Sequence, residues 1–275
     1  MRTLKLTIAY DGTRYAGWQV QNPGAGGTGR ARHDARHRRA GWAREQQTIQ
    51  GTLERVLSRI LQESVKVVGS GRTDAGVHAL GQVAHVRTQS LLPRERLLRS
   101  LNALVPPDIA VMRVEEAPPT FHARFDARSK RYRYRIFTGP IVPPFIRPYV
   151  HHVRTPLDIP LMRREARGLR GRHDFRAFAR AGGGGRGTVR TITDIRLLRH
   201  GDELHVEVEG TGFLHTMVRS IVGTLVDVGR GRLPPGTIGR MVRTKRRGLS
   251  GTTAPACALL LMSVGYRKAV RRCAG

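Results

Sequence analysis

The chain carries 49 lysines and arginines against 20 aspartates and glutamates over 275 residues, a formal net charge of +29 at pH 7. That length buries a sizeable core in one large domain or two smaller ones, and the charge excludes a small neutral molecule as sole partner and favours a polyanion, whose counterions are released on binding. Arginine outnumbers lysine 44 to 5, which favours RNA over an acidic membrane surface, because guanidinium both forks onto phosphate and stacks on bases.

The first predicted element is a half-buried strand: Leu4, Leu6, Ile8 and Tyr10 alternate with Thr3, Lys5, Thr7 and Ala9 before Asp11-Gly12 turns the chain. Residues 24–47 are rich in Gly and Arg and nearly free of aliphatic side chains, so they read as a flexible basic insertion that buries too little to fold. An RNA-grasping arm and a neutral surface insertion fit it equally. Thr48 then caps a helix in which Ile49, Leu53, Val56, Leu57, Ile60 and Leu61 share a face. A short β-branched strand over Ser64–Val68 leads into a glycine-rich loop, and Val83, Ala84 and Val86 mark the strand that leaves it. A helix over Pro93–Leu104 and a strand over Ile109–Val114 complete an N-terminal half, residues 1–115.

In the C-terminal half, residues 116–275, the run from Lys130 to Phe137 alternates Tyr132, Tyr134 and Ile136 with Arg131, Arg133 and Arg135. A helix is expected over 157–170, a flexible loop at Gly182–Gly185, and a hairpin through Gly201-Asp202 joining strands near 191–199 and 204–209. Leu214, Met217, Val218, Ile221, Val222 and Leu225 form an amphipathic helix, and Leu259–Val264 a closing strand. Helices and strands mix without a βαβ rhythm, which predicts an α+β fold with a largely antiparallel sheet. Two cysteines, Cys257 and Cys273, are too few for a Cys-rich zinc site or a disulfide framework. No apolar run approaches the roughly 20 residues that cross a bilayer, and no apolar leader opens the chain. The expected location is the cytoplasm, with no membrane partner.

Chemistry is expected in the loop Gly69-Ser70-Gly71-Arg72-Thr73-Asp74-Ala75-Gly76-Val77-His78. A carboxylate repels phosphate, so in so basic a chain Asp74 makes sense there if it reacts rather than binds. The glycines let the backbone take unusual conformations and let a bulky ligand approach. Taken alone, Arg-Thr-Asp-Ala-Gly also fits a turn-capping aspartate beside a solvated arginine. A metal site from Asp74, His78 and His85 matches no standard zinc spacing. Arg219 lies about 130° from the centre of its helix's apolar stripe, which solvent exposure explains as well as catalysis does. Tyr132 shares a face with Tyr134 and Ile136, so core packing accounts for all three.

The wider pattern goes further. Tyr10-Asp11-Gly12 with Gly17-Trp18-Gln19, Thr48-Ile49-Gln50-Gly51, and Gly71 to Gln82 come in order, followed by Phe121-His122-Ala123-Arg124-Phe125 and Arg131-Tyr132-Arg133-Tyr134. Gly212-Phe213-Leu214-His215-Thr216-Met217-Val218-Arg219 with Ile221-Val222-Gly223, and Thr253-Ala254-Pro255-Ala256, complete the series. Together they resemble the TruA family of tRNA pseudouridine synthases over most of the chain. The resemblance implies two mixed α/β halves sharing the central sheet around a basic cleft. It implies an isomerase that converts uridines in the tRNA anticodon stem-loop, at about positions 38–40, working as a homodimer with RNA across both subunits. That reaction conserves atoms, so no cofactor and no metal is implied.

By the same resemblance Asp74 is the nucleophile, acting at C1′ or at C6 of the uridine. Tyr132 stacks on the base and is a candidate for handling the C5 proton, and Arg219 pairs with Asp74 to keep it charged and in place. Arg72 holds the flipped nucleotide or fills the gap it leaves, a plain phosphate contact being the other reading. His78 and Arg124 fall among the RNA-binding residues. Some positions depart from the family pattern. Residues 24–47 lengthen a loop that is usually short, and Val20 stands where an arginine is common. Ala258 and Leu260 stand where the family has Gly and Tyr, with Leu260 expected to wall the pocket. Two alternatives remain: a non-catalytic RNA-binding protein of this descent, and a metal-dependent nuclease using Asp74 and histidines. The set Arg72, Asp74, Tyr132 and Arg219 argues against the first.

Overall fold

In the computed structural model, which describes residues 1–19, 47–180 and 187–267, the alternating run at the start becomes strand β1 (Arg2–Tyr10), with Leu4, Leu6, Ile8 and Tyr10 buried. The expectations for residues 24–46, for Val20 and for Gly182–Gly185 lie outside the described residues. Thr48 opens helix α1 (Ile49–Leu61), its hydroxyl accepting from Gly51 N at 3.2 Å, a cap contributing about 1 kcal/mol. The strand expected over Ser64–Val68 shrinks to β2 (Val68–Gly69). Side chains of α1 take the amides that a ladder would need: Val65 N donates to Ser58 Oγ and Val67 N to Glu54 Oε1.

Strand β3 (His78–Thr88) leaves the glycine-rich loop and pairs antiparallel with β1, and helix α2 (Arg94–Leu104) leads to β4 (Ile109–Ala117) on the other side of β1. Leu53, Leu57, Leu97 and Leu101 of the two helices join the core of this half. Residue 115 falls inside β4, and residues 118–126 carry the chain across to β5 (Ala127–Phe137). The second half contributes β6 (His151–His152), helix α3 (Ile159–Arg167), β7 (Gly171–Asp174), β8 (Val189–His200) and β9 (Glu203–Gly210). Helices α4 (Met217–Gly229) and α5 (Thr237–Thr244) follow, then β10 (Leu259–Tyr266).

Among the described residues one sheet of ten strands results, in the order β4-β1-β3-β10-β5-β9-β8-β7, with β2 on β3 and β6 on β5. Among the described strands only β3–β10 and β5–β6 pair in parallel, so the α+β, largely antiparallel expectation holds. On one face of the second half Tyr132, Tyr134 and Ile136 lie opposite Val208, Val206 and Leu204, all buried. On the reverse face Arg131, Arg133 and Arg135 pair with Glu209, Glu207 and Glu203 at 2.7, 2.6 and 2.7 Å. Helix α4 is buried along nearly its whole length. Helix α5 has no expectation behind it: only Thr237, Ile238 and Met241 of its eight residues are buried, too few for periodicity to announce. It is fixed instead by Glu165 of α3, which accepts from Gly236 N and Ile238 N at 2.6 and 3.0 Å. Among the described residues no helix is long and apolar enough to cross a membrane.

Candidate active site

The loop between β2 and β3 is shaped from both sides. Gln82 of β3 donates to Gly71 O at 3.1 Å and accepts from Ser70 Oγ and Val83 N at 2.7 and 3.2 Å. From the segment after β1, Trp18 N donates to Thr73 O at 3.1 Å, and the Tyr10 hydroxyl bonds Thr73 Oγ1 at 2.8 Å. Gly17, at φ +95°, makes the approach possible, since a Cβ there would stand 2.6 Å from Thr73 O. Lys130 of β5 completes the support, donating from Nζ to Ser70 O at 2.8 Å. Burial, and then the charges of Arg124 and Arg190, push this amine down to about 8.

Asp74 emerges from the loop with its side chain 19% exposed. Its Oδ2 accepts from an Arg219 terminal nitrogen at 3.0 Å, and its Oδ1 lies 3.3 Å from His215 Nε2. Arg219 belongs to the first turn of α4 and is itself held. Its Nε donates to Ala254 O at 2.8 Å, and Ala254 N returns a bond to Arg219 O at 3.1 Å. The segment carrying Ala254 lies tight on α4 because a Cβ on Gly223 would fall 1.6 Å from Thr252 O. Asp227, one helical turn further, accepts from Thr252 N and Oγ1 at 2.9 and 2.7 Å. Thr216, just before α4, holds φ +60°, a left-handed conformation that strains a β-branched residue by about 1–3 kcal/mol. The strain sits where the chain turns from His215 into the helix.

Tyr132 is buried on β5 and packs edge-on against Phe213, ring centroids 5.1 Å apart. Burial, reinforced by charge on Tyr10 and Asp74, raises its phenol well above the ordinary value of 10, so it is neutral at pH 7. Its neighbours on the same face are committed. Tyr134 donates to Pro255 O at 3.0 Å, and Tyr10, pushed up to about 12 by burial, bonds Thr73. The Tyr132 hydroxyl has no hydrogen-bond partner among the described residues. That difference separates the two strand tyrosines, which alternation alone could not do.

The remaining sequence-predicted residues are spread around this centre. Arg72 is exposed and donates to Gln19 Oε1. His78 is buried beneath the loop with both ring nitrogens occupied: Nδ1 accepts from Gly12 N at 3.1 Å and Nε2 lies 2.9 Å from Cys257 O. His85 accepts from Ala123 N. Among the described residues no group of three or more His, Cys, Asp or Glu could hold a metal, so Asp74, His78 and His85 are not assembled. Arg124 is exposed, its guanidinium 5.9 Å from the Phe125 ring centre. Leu260 does not wall the pocket. It registers with Arg133 on the reverse face, while Leu261 lies opposite Tyr132 and Leu259 opposite Tyr134. Sequence reasoning gave no role to His215, Lys130 or Phe213. Two signals were present: His215 precedes Arg219 by one helical turn, and Lys130 shares the strand face of Tyr132 by period two.

A sequence profile described as tRNA pseudouridine synthase matches residues 7–126 and 166–267, with Tyr132 falling between the two matched segments. The chain is 42% identical over 266 residues to the tRNA pseudouridine synthase A of Pelobacter propionicus, covering 97% of this chain and 100% of the relative. It is 42% identical over 268 residues to that of an Exiguobacterium species, with 98% and 99% covered. It is 42% identical over 266 residues to that of Geobacter sulfurreducens, with 97% and 100% covered. Among solved structures, a Cbf5-Nop10-Gar1 complex aligns with a TM-score of 0.32 at 13% identity, covering 77% of this chain and 44% of that one.

Proposed function

The chain belongs to the tRNA pseudouridine synthase family, and from that premise we propose that Asp74, Arg219 and Tyr132 are the centre at which it isomerises uridine in tRNA. As a member of that family it is an isomerase. The bond from C1′ to N1 breaks, the uracil turns, and C1′ bonds to C5; C5 gives up its proton and N1 gains one, so the atoms balance without a cofactor. Asp74 is the nucleophile. Arg219 fixes the orientation of its carboxylate through a charge-assisted hydrogen bond, and His215 lies beside the other oxygen. Tyr132 offers the base a flat ring and an O–H donor; its raised pKa argues against a phenolate.

The finer reading draws on the motif resemblance. The uridines lie in the anticodon stem-loop, at about positions 38–40. They reach Asp74 by leaving the stack, which costs a few kcal/mol, and Arg72, exposed two residues away, holds the nucleotide or the gap. The enzyme works in the cytoplasm as a homodimer, with tRNA lying across both copies.

One observation carries the proposal. In a chain with so few carboxylates, Asp74 of an N-terminal loop meets Arg219 of a C-terminal helix at 3.0 Å, close enough to Tyr132 for its charge to raise that phenol. The test is tritium release from tRNA bearing 5-tritiated uridine, with chelator present. Wild type releases tritium and Asp74→Asn releases none. Tight tRNA binding with no release by wild type would overturn the proposal in favour of a non-catalytic RNA-binding protein.

A further inference from the structure

The connection between β4 and β5 is held more firmly than a connection requires. Ala123 is fully buried; its N–H donates to His85 Nδ1 at 3.2 Å and its carbonyl accepts from the Tyr266 hydroxyl at 2.7 Å. His122 Nδ1 accepts from Arg124 N and Phe125 N at 3.2 and 3.3 Å. Asp126 closes the turn, accepting from His122 N at 2.8 Å and donating its own N–H to His122 O at 3.0 Å. Burial, and then the charges of His122 and Arg87, push His85 down to about 4, so at neutral pH it is an uncharged acceptor and the pin holds.

On this fixed frame Phe125 stands 69% exposed. Its ring lies 4.3 Å from that of His122, tilted by 33°, and the Arg124 guanidinium sits 5.9 Å from its centre. A large aromatic held out in water on an ordered backbone gains nothing for the free protein, yet it meets a flat ligand with little ordering left to lose. The loop packs behind the sheet, since His85 pairs with Lys5 and Tyr266 with Ala127 on the face opposite Tyr132. Arg124 is near enough to Lys130 for its charge to help lower that amine, which binds Ser70 O in the Asp74 loop, and the seven residues from Phe125 to Tyr132 cover roughly 20 Å.

We propose that Phe125, with Arg124 beside it, is a stacking platform for an unpaired base of the RNA substrate, outside the pocket that holds the uridine at Asp74. The proposal rests on the tRNA-isomerase reading and deepens it. An aromatic face takes any base, and a neighbouring guanidinium serves both the base and its phosphate. A net charge of +29 makes a polyanion the natural occupant.

The test measures steady-state tritium release from bulk tRNA for wild type, Phe125→Ala, Phe125→Leu and Phe125→Trp, with thermal unfolding and size exclusion on each. Leucine fills apolar space without a flat face, so it separates stacking from packing. Loss of one stacked base raises KM about tenfold in the alanine and leucine variants, with kcat moving less than twofold and Tm unchanged, while tryptophan keeps the wild-type KM. Equal KM in all four proteins overturns the platform. So does a change of oligomeric mass in Phe125→Ala with KM intact, which assigns the patch to contact between copies. If wild type releases no tritium, the isomerase reading fails instead, and the order of tRNA Kd among the same four proteins still decides the platform.

Discussion

Arg133 grips Glu207 with two nitrogens, at 2.9 and 2.6 Å, and Arg131 and Arg135 hold Glu209 and Glu203 in the same two-pronged way. Arg219 gives Asp74 one nitrogen at 3.0 Å and engages Ala254 O with another. On the reverse face of the sheet each arginine gives two nitrogens to its own glutamate, a ladder across the β5–β9 pair. In the centre the carboxylate is anchored at one oxygen, and its other oxygen faces a His215 side chain that is 46% exposed. The same two residue types lock a sheet in one place and leave a carboxylate oxygen open in the other, because the guanidinium is divided differently.

Removing the arginine on each side sharpens that contrast. Arg219→Met is expected to lower kcat by about 10²–10³, the scale of losing one charge-stabilising donor, with the tRNA Kd changed only a few-fold. Retention of more than a tenth of wild-type kcat would break the comparison. Asp227→Ala acts one step away, leaving Thr252 without its acceptor and loosening the segment that holds Arg219. It should lower stability by about 1–3 kcal/mol in urea melts and reduce kcat less than Arg219→Met does.

The smallest effect belongs to the ladder. Arg135→Met should lower stability by about 1–2 kcal/mol at pH 7 and leave tritium release untouched. Its signature is in acid. The hydrogen bond from Arg135, with help from His205 against the opposing effect of burial, pulls Glu203 down to about 2 from 4.5. Between those values the unfolded chain binds more protons than the native one. The contribution is therefore full above pH 4.5 and is lost as pH falls toward 2. Urea melts from pH 7 to pH 3 should show a flatter acid limb in Arg135→Met; an unchanged limb would deny the ladder its role.

Much of this architecture is written in local pattern. Alternation places Leu4 to Tyr10 and Tyr132 to Ile136 on buried faces, and Thr48 with the apolar stripe behind it fixes α1. What local pattern omits is who takes an amide or an ion from afar. Ser64–Val68 looks like a strand until Ser58 and Glu54 claim its amides. Leu260 is assigned to a face only by pairing with Arg133, a strand distant in sequence. Arg219 lies off its helix's apolar stripe, as the helical wheel has it. The wheel cannot say that a carboxylate from the other half waits there, and the motif resemblance supplied that pairing before the geometry did. His215 lies in the motif that carries Arg219 but shows no task in sequence, since its proximity to Asp74 depends on the turn at Thr216.

The position of β10 bears on how the protein is made. It inserts between β3 and β5, strands that leave the ribosome long before it, so both keep an open edge while synthesis continues. The segment that holds Arg219 through Ala254 is also made late, immediately before β10. A nascent chain therefore carries its arginines among ribosomal RNA while Asp74 is still without its partner. Closing strand pairs of such large sequence separation is slow, so the sheet is completed last. A chain stopped before residue 259 would have the charge to hold RNA while the edges of β3 and β5 stay unpaired.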